Sequence, residues 1–142
     1  MKRALAIAAV LLAAPAARAA SCTVGATGVA FGAYDSLGAT ALDSSGTVSW
    51  SCDTSSSVSI ALGRGSSSTY LPRRLASGPS LADYNLYLDA SCSTIWGDGT
   101  EGTSTWTGSG TAGNIPIFGR VAPRQPLAAG SYTDTVVITI VF

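Results

Sequence analysis

Two carboxylates close together in the chain are the first candidates for chemistry. Asp98 and Glu101 lie in the stretch WGDGTEG, and a glycosidase needs only a pair of carboxylates a short distance apart. An aspartate between glycines is also typical of a turn in which its side chain accepts backbone hydrogen bonds. Two charged ligands are few for a calcium site. We therefore expect a structural turn, with hydrolysis and calcium binding as the alternatives.

Histidine is absent from the whole sequence, and this removes most other catalytic arrangements. A Ser-His-Asp triad, a histidine general base and the common zinc sites all require it. No serine lies in a Gly-x-Ser-x-Gly motif, and the only lysine is Lys2, so a serine nucleophile has no lysine base in a mature chain. We expect no catalytic residues, no metal site, no cofactor and no enzymatic activity.

The N-terminus has the pattern of a secretory signal peptide. Two basic residues precede an apolar run at residues 4–14, and a small-residue cleavage site follows at residues 17–19. This run of about 11 residues is shorter than the roughly 20 that a transmembrane helix needs. We predict a signal peptide at residues 1–19 and an exported mature domain at residues 20–142, without membrane insertion.

The predicted mature chain carries little charge. Cleavage after Ala19 removes three of the eight basic residues and none of the eight acidic ones, which leaves a net charge of 5 − 8 = −3. The remaining arginines are too few and too scattered for the basic surface that nucleic acid or an anionic membrane requires. Neither is an expected partner.

Three cysteines, Cys22, Cys52 and Cys92, allow three disulfide pairings. In an exported protein we expect one disulfide and one remaining thiol. We favour the Cys22–Cys52 pairing, because it would join the starts of two early strands. Cys92 is then either a buried, unreactive thiol or an intermolecular or reactive site.

Alternation of apolar and polar residues predicts β-strands along the mature chain. Strand segments are expected at 22–24, 29–31, 47–52, 58–62, 84–89, 103–107, 115–121 and 131–142, with no amphipathic helix. The segments on either side of residues 53–57 are interpreted as neighbouring strands joined by a polar turn. Seven or so short strands indicate one antiparallel β-sandwich, with immunoglobulin-like topology as one option.

The last predicted strand, SYTDTVVITIVF at residues 131–142, alternates along its length and has no turn after it. One face is expected to enter the core, and its free edge then requires a neighbouring strand from elsewhere. Asp134 in this strand is interpreted as an exposed or strand-flanking carboxylate, with Arg120 as a candidate partner.

Six stretches, in this order after an early cysteine, together resemble the spore coat protein U domain family. They are VAFGAYD (29–35), GTVSWSC (46–52), YNLYLDA (84–90), WGDGT (96–100), IPIFGRV (115–121) and GSYTDTVVITIVF (130–142). The best-known members resemble subunits of archaic, Csu-type chaperone–usher pili. The resemblance implies an all-β fold, an incomplete immunoglobulin-like (pilin-type) antiparallel β-sandwich that lacks its final strand.

Subunits of this kind are held open by a periplasmic chaperone, assembled by an outer-membrane usher and completed by a strand from a neighbouring subunit. The resemblance therefore implies export through the periplasm to a surface fibre or the medium, with a role in adhesion and biofilm formation. It also implies a groove that receives the donor strand. The side chains expected to line this groove are Val29, Phe31, Tyr132, Val136, Ile138, Ile140 and Phe142.

One departure from the polymerising members of the family concerns the N-terminus. Those members carry a donor extension of about a dozen residues before the first cysteine, whereas the predicted cleavage leaves Ala20 and Ser21 before Cys22. Because a strand needs about five residues, we expect a subunit at a fibre tip that accepts a strand but does not donate one. The alternatives are a stand-alone spore-coat or outer-surface protein and a carbohydrate-binding module.

Overall fold

The computed structural model describes residues 18–142, which form an all-β domain of six strands. The strands are β1 (Cys22–Thr27), β2 (Leu42–Leu62), β3 (Arg73–Ser77), β4 (Ser80–Tyr87), β5 (Trp106–Val121) and β6 (Ile138–Val141). Most of the predicted signal peptide lies outside the described residues, so it stays a prediction. Within the described range, no helix is long and apolar enough to cross a membrane.

The two longest strands, β2 and β5, form the centre of the sheet and pair antiparallel over most of their length. The segments 47–52 and 58–62, predicted as two strands, are therefore parts of one strand. The predicted polar turn is an irregularity in the pairing between Ser51 and Ser56. Residues 53–55 are exposed there, and an exposed bulge has the same polar composition as a turn.

The sheet follows the order β1-β2-β5-β4-β3, and β6 also pairs with β2. Since β5 occupies one edge of β2, both β1 and β6 lie on the opposite edge. β1 covers β2 from Thr47 to Cys52, and β6 covers it from Ser59 to Leu62, beyond the irregularity. β2 thus contributes to both layers, and the sheet curls around one core as an antiparallel sandwich. The predicted fold class is confirmed.

The core lies between the two layers and consists of side chains from alternate strand positions. Its buried members include Val48, Trp50, Val58, Ile60, Leu62, Leu86, Trp96, Ile115, Ile117 and Val121. Burial of one large aliphatic or aromatic side chain contributes about 1.5–3 kcal/mol. This cluster is therefore the main source of favourable folding free energy. A further apolar side chain buried against the cluster would add to that free energy.

After β1 the chain leaves the edge of the sheet and crosses over the core. Val29 and Phe31, predicted as a strand, lie in no strand but pack against the buried cluster. Both side chains lie against Gly119 of β5, where a Cβ atom would come within 2.7 Å of Phe31 Cζ and 2.8 Å of Val29 Cγ1. Glycine at this position therefore makes room for the crossing. Phe31 also contacts Tyr84 edge to face, with ring centroids 6.1 Å apart.

The Cys22–Cys52 disulfide favoured from the sequence is present, across a separation of 30 residues. The two cysteines are register partners in the β1–β2 ladder, so the bond fastens an edge strand to a central one. Cys92 is a free, partly buried thiol. Burial raises the pKa of Cys92, so its thiol stays protonated near neutral pH and is a weak nucleophile.

Candidate functional site

An open groove runs between the crossing segment after β1 and residues 131–142, here called the closing segment. The groove consists of two adjoining cavities of about 880 Å³ and 170 Å³. Both are lined by Val29, Phe31, Leu75 and Asp134. The smaller cavity is also lined by members of the buried cluster, so an apolar side chain placed there would extend the core.

The structure brings five of the predicted groove residues together. Val29, Phe31 and Tyr132 line the larger cavity, and Val136 and Ile138 line the smaller one. Val29 and Phe31 come from the crossing segment, whereas the other three come from alternate positions of the closing segment. The two walls of the groove are thus far apart in sequence.

The last two predicted groove residues lie beyond these cavities. Ile140 packs against the buried cluster further along the closing segment. Phe142 is 52% exposed and lines a separate surface pocket with Val58 and Thr107. The two adjoining cavities therefore end before Ile140.

The closing segment is less regular than its sequence predicts. Only Ile138–Val141 forms a strand, and Thr133 makes an isolated bridge with Ala76 of β3, with bonds of 2.9 Å and 3.0 Å. Between these points the segment passes from the edge of β3 to the edge of β2. The residues that make this passage cannot continue either ladder, although their sequence alternates throughout.

One edge of the closing segment has no pairing strand among residues 18–142. On the other edge, Gly63 N–H donates to Val137 C=O at 2.8 Å, and β6 continues the antiparallel pairing with β2. In such a ladder, alternate residues direct both backbone groups to the same side. The backbone groups of Val136, Ile138 and Ile140 therefore point away from β2. No strand in the described part of the chain pairs with this outer edge.

Tyr132 indicates the place of the closing segment in the fold. Its hydroxyl donates to Ala128 C=O at 2.8 Å and lies 2.6 Å from the Ser80 hydroxyl. A tyrosine that bonds back to the backbone a few residues upstream is typical of the start of strand F in immunoglobulin-like sandwiches. The closing segment thus resembles strand F in this contact, and no described strand pairs with its outer edge.

Asp134 does not pair with Arg120, the partner considered from the sequence. Asp134 Oδ1 accepts hydrogen bonds from Ser66 N–H at 2.8 Å and Ser66 Oγ–H at 2.9 Å. Asp134 Oδ2 accepts the hydroxyl of Tyr84 at 2.6 Å, and burial raises the pKa of Tyr84, so the hydroxyl remains a donor. Arg120 pairs with Asp43 at 2.7 Å, because these two are register partners on β5 and β2.

Asp98 and Glu101 make separate structural contacts. Asp98 Oδ1 accepts the N–H of Thr100 at 2.9 Å, which is the expected side-chain turn. Glu101 accepts from Arg64 at 2.6 Å and from the N–H of Tyr70 at 3.0 Å. Among the residues that the structure describes, no three histidine, cysteine or acidic residues are grouped to hold a metal ion. The two carboxylates secure a loop.

The contacts of Glu101 predict acid sensitivity. The N–H of Tyr70, with help from Thr69 and Arg64, lowers the pKa of Glu101 below its ordinary value of 4.5. A carboxylate with a lower pKa in the folded chain stabilises the fold above its unfolded pKa, and this contribution is lost as the pH falls through the folded value. We expect the free energy of unfolding to decrease as the pH falls below the ordinary pKa of 4.5, and Glu101→Gln to make this decrease shallower.

Urea unfolding at a series of pH values measures this dependence. If the free energy of unfolding falls equally steeply with acid in the wild type and in Glu101→Gln, the Glu101 carboxylate is not the source of the acid sensitivity.

Sequence reasoning missed a buried polar cluster centred on Arg73. This side chain is 0% exposed, and it donates to Gly63 C=O at 2.9 Å, Trp96 C=O at 2.7 Å and Asn85 Oδ1 at 2.8 Å. The contacts join β3 and β4 to Gly63, the residue after β2 whose N–H binds the closing segment. Arg73 precedes Arg74 in a short strand, and paired arginines usually indicate an exposed edge, so no sequence signal marked it.

Comparison with known proteins identifies relatives of this chain. The family model of the Spore Coat Protein U domain matches residues 7–139. Protein U of Myxococcus xanthus is 34% identical over 126 residues, with 79% of this chain and 70% of that protein covered.

A solved structure shares the fold. The match is to a chain in the crystal structure of the CsuC–CsuE chaperone–tip adhesion subunit pre-assembly complex from archaic chaperone–usher Csu pili of Acinetobacter baumannii, with a TM-score of 0.61 and 22% identity. It covers 87% of this chain and 40% of the other, so the likeness concerns the fold of one part of that chain. Because the family model matches nearly the whole sequence, this protein belongs to the Spore Coat Protein U domain family.

Proposed function

We propose that this protein is a structural subunit of a chaperone–usher pilus or a similar surface fibre, and that a strand from another subunit completes its fold. The observation that carries the proposal is the unpaired outer edge at residues 136–140, which borders an open groove leading to the core. Family membership and the fold shared with a Csu assembly support it. The role is structural and involves no catalysis.

A donor strand in the groove would complete both the sheet and the core. Its backbone would bond to the outward-facing groups of Val136, Ile138 and Ile140, which is strand addition to a free sheet edge. Its alternate side chains would enter the cavities beside these residues. Since each buried apolar side chain contributes about 1.5–3 kcal/mol, a few filled positions suffice to hold neighbouring subunits together.

The partners are inferred from the empty groove together with family membership and the likeness to a chain of a chaperone–subunit complex. A free strand edge beside exposed apolar surface is a template for aggregation. We therefore infer that a periplasmic chaperone covers the groove after export, and that an outer-membrane usher exchanges the chaperone for a neighbouring subunit. The product is a fibre on the cell surface, where it serves adhesion and biofilm formation.

We also propose that the subunit accepts a strand without donating one, as at a fibre tip. The predicted cleavage leaves Ala20 and Ser21 before Cys22. Ser21 is already engaged, because its C=O accepts Asp53 N–H at 3.0 Å and its N–H donates to the Asp53 carboxylate at 2.9 Å. Intact-mass measurement of the exported protein tests this proposal. Cleavage far enough upstream to leave a long apolar arm would overturn it.

A stand-alone coat or outer-surface protein is the second candidate, and the contacts of the closing segment favour it. β6 pairs with β2, and Thr133 bonds to Ala76 in both directions. These bonds hold the segment in place without a partner strand, so the domain has the means to fold alone.

Periplasmic production of residues 20–142 distinguishes the two candidates. For a pilus subunit we expect aggregation of the domain alone, a soluble one-to-one complex with the co-expressed cognate chaperone, and a soluble monomer when a donor strand is fused after Phe142. The matched control carries charged residues at the donor positions that enter the groove, and it should not rescue solubility. Cooperative unfolding of the unaided monomer, unchanged by the fusion, would support the coat protein instead.

A further inference from the structure

The backbone pairing of the closing segment has a gap, and the gap lies beside the groove. Thr133 bonds to Ala76 on β3, and Val137 accepts the N–H of Gly63 after β2. Between these points, residues 134–136 make no backbone–backbone hydrogen bond within the described range. This is the stretch that passes from one sheet edge to the other, so contacts other than backbone pairing must fix its position.

The side chain of Asp134 bridges the gap. Its Oδ1 accepts from Ser66 N–H and Oγ–H at 2.8 Å and 2.9 Å and from Thr135 N–H at 2.9 Å, and its Oδ2 accepts from the Tyr84 hydroxyl at 2.6 Å. The neighbouring loop is shaped to receive the carboxylate. Gly65 has a φ of 65°, and a Cβ atom there would collide with the carboxylate.

We propose that Asp134 is a positioning residue of the strand-acceptor groove, an inference that rests on the proposed function. Asp134 lines both cavities, and Val136 and Ile138 follow it on the same face of the segment. By binding Ser66 and Tyr84, the carboxylate holds this apolar face and the outer edge in the geometry that a donor strand requires.

The role predicts different effects in the empty and the filled groove. A bound donor strand pairs with the outer edge of the closing segment. This pairing fixes the position of the segment, as the contacts of Asp134 do in the empty domain. In the empty domain, loss of the carboxylate lowers the population of the receptive geometry, and the apparent Kd for a donor rises by the inverse of that population. A side chain that served stability alone would contribute equally in both forms.

The test uses Asp134→Asn in two forms of the mature domain. In the first form, the unfolded domain is diluted into a synthetic donor peptide in which valine and threonine alternate, and the peptide concentration for half-maximal folding is measured. We expect Asp134→Asn to raise this concentration about tenfold, which corresponds to about 1.4 kcal/mol. In the second form, a donor strand is fused after Phe142, and urea unfolding is expected to show less than about half of that loss.

Asp43→Asn is the matched control, because it removes an exposed carboxylate that pairs with Arg120 outside the groove, and it should leave the peptide concentration unchanged. Ser66→Ala removes one donor to Asp134 and provides a milder variant if Asp134→Asn does not fold. An unchanged peptide concentration, or an equal loss of free energy in the fused form, would overturn the positioning role. A wild type that neither takes up the peptide nor gains stability from the fusion would overturn the proposed function itself.

Discussion

Replacing Arg73 with alanine is expected to lower the free energy of unfolding by about 4 kcal/mol, a large fraction of the total. The buried guanidinium donates to the carbonyl groups of Leu62, Gly63 and Trp96 and to Asn85 Oδ1. Each buried acceptor left without a donor costs about 1–3 kcal/mol, and a cavity adds to this. A domain of this size has only about 5–15 kcal/mol in total.

Charge alone does not explain the expected effect of Arg73. No ion pair of Arg73 is present in the described part of the chain, and the ring of Tyr70 lies 4.9 Å from the guanidinium carbon. Burial lowers the pKa of Arg73, but arginine stays charged at neutral pH. Arg73→Lys keeps the charge and loses the planar fork, so we expect it to recover little of the stability.

Arg74→Ala is the matched control on the same strand. Arg74 forms an exposed pair with Asp83 at 3.0 Å, and exposed pairs contribute about 0–1 kcal/mol. Urea unfolding of the three variants, all carrying the same fused donor strand, measures the differences. A loss below about 1 kcal/mol for Arg73→Ala would show that the cluster is dispensable.

Removing the Cys22–Cys52 disulfide is expected to lower the free energy of unfolding by about 3.5 kcal/mol. The bond closes a separation of 30 residues, and the open unfolded chain gains the corresponding conformational entropy. The folded state is weakened too, because in the described part of the chain β1 pairs only with β2, and β1 precedes the segment that carries Val29 and Phe31. Loss of the bond should therefore also loosen one wall of the groove.

The measurement compares urea unfolding of a Cys22→Ala/Cys52→Ala double variant with that of the wild type, both carrying the donor strand fused after Phe142. Cys92→Ala is the control for removal of a thiol outside the bond, and it should cost less than about 1 kcal/mol. Equal midpoints for the double variant and the wild type would mean that β1 is held mainly by its backbone ladder.

Period-two alternation was sufficient to predict the inward faces of the strands. Val48 and Trp50, and then Val58 and Ile60, are buried as their spacing indicates. Alternation did not reveal that both pairs belong to one strand. Strand continuity depends on whether β5 pairs across the exposed residues between them, and that is a property of the partner strand.

For the groove, too, some features were predicted from the sequence and one was not. Apolar alternation from Val136 to Ile140 and the family resemblance predicted one wall, and the resemblance predicted Val29 and Phe31 as the other. The prediction that Asp134 pairs with Arg120 was wrong. A carboxylate bonds to whatever the fold brings near it, and its observed partner Ser66 lies 68 residues away in the sequence.

The all-β class, the inward side chains and the Cys22–Cys52 pairing could be inferred from the residues, because they depend on local periodicity and on a small number of alternatives. The burial of Arg73, the curl of β2 through both layers and the unpaired outer edge of the closing segment arise only in the tertiary structure. Each depends on which distant strand lies alongside, and strand register is set by the packing of the whole core.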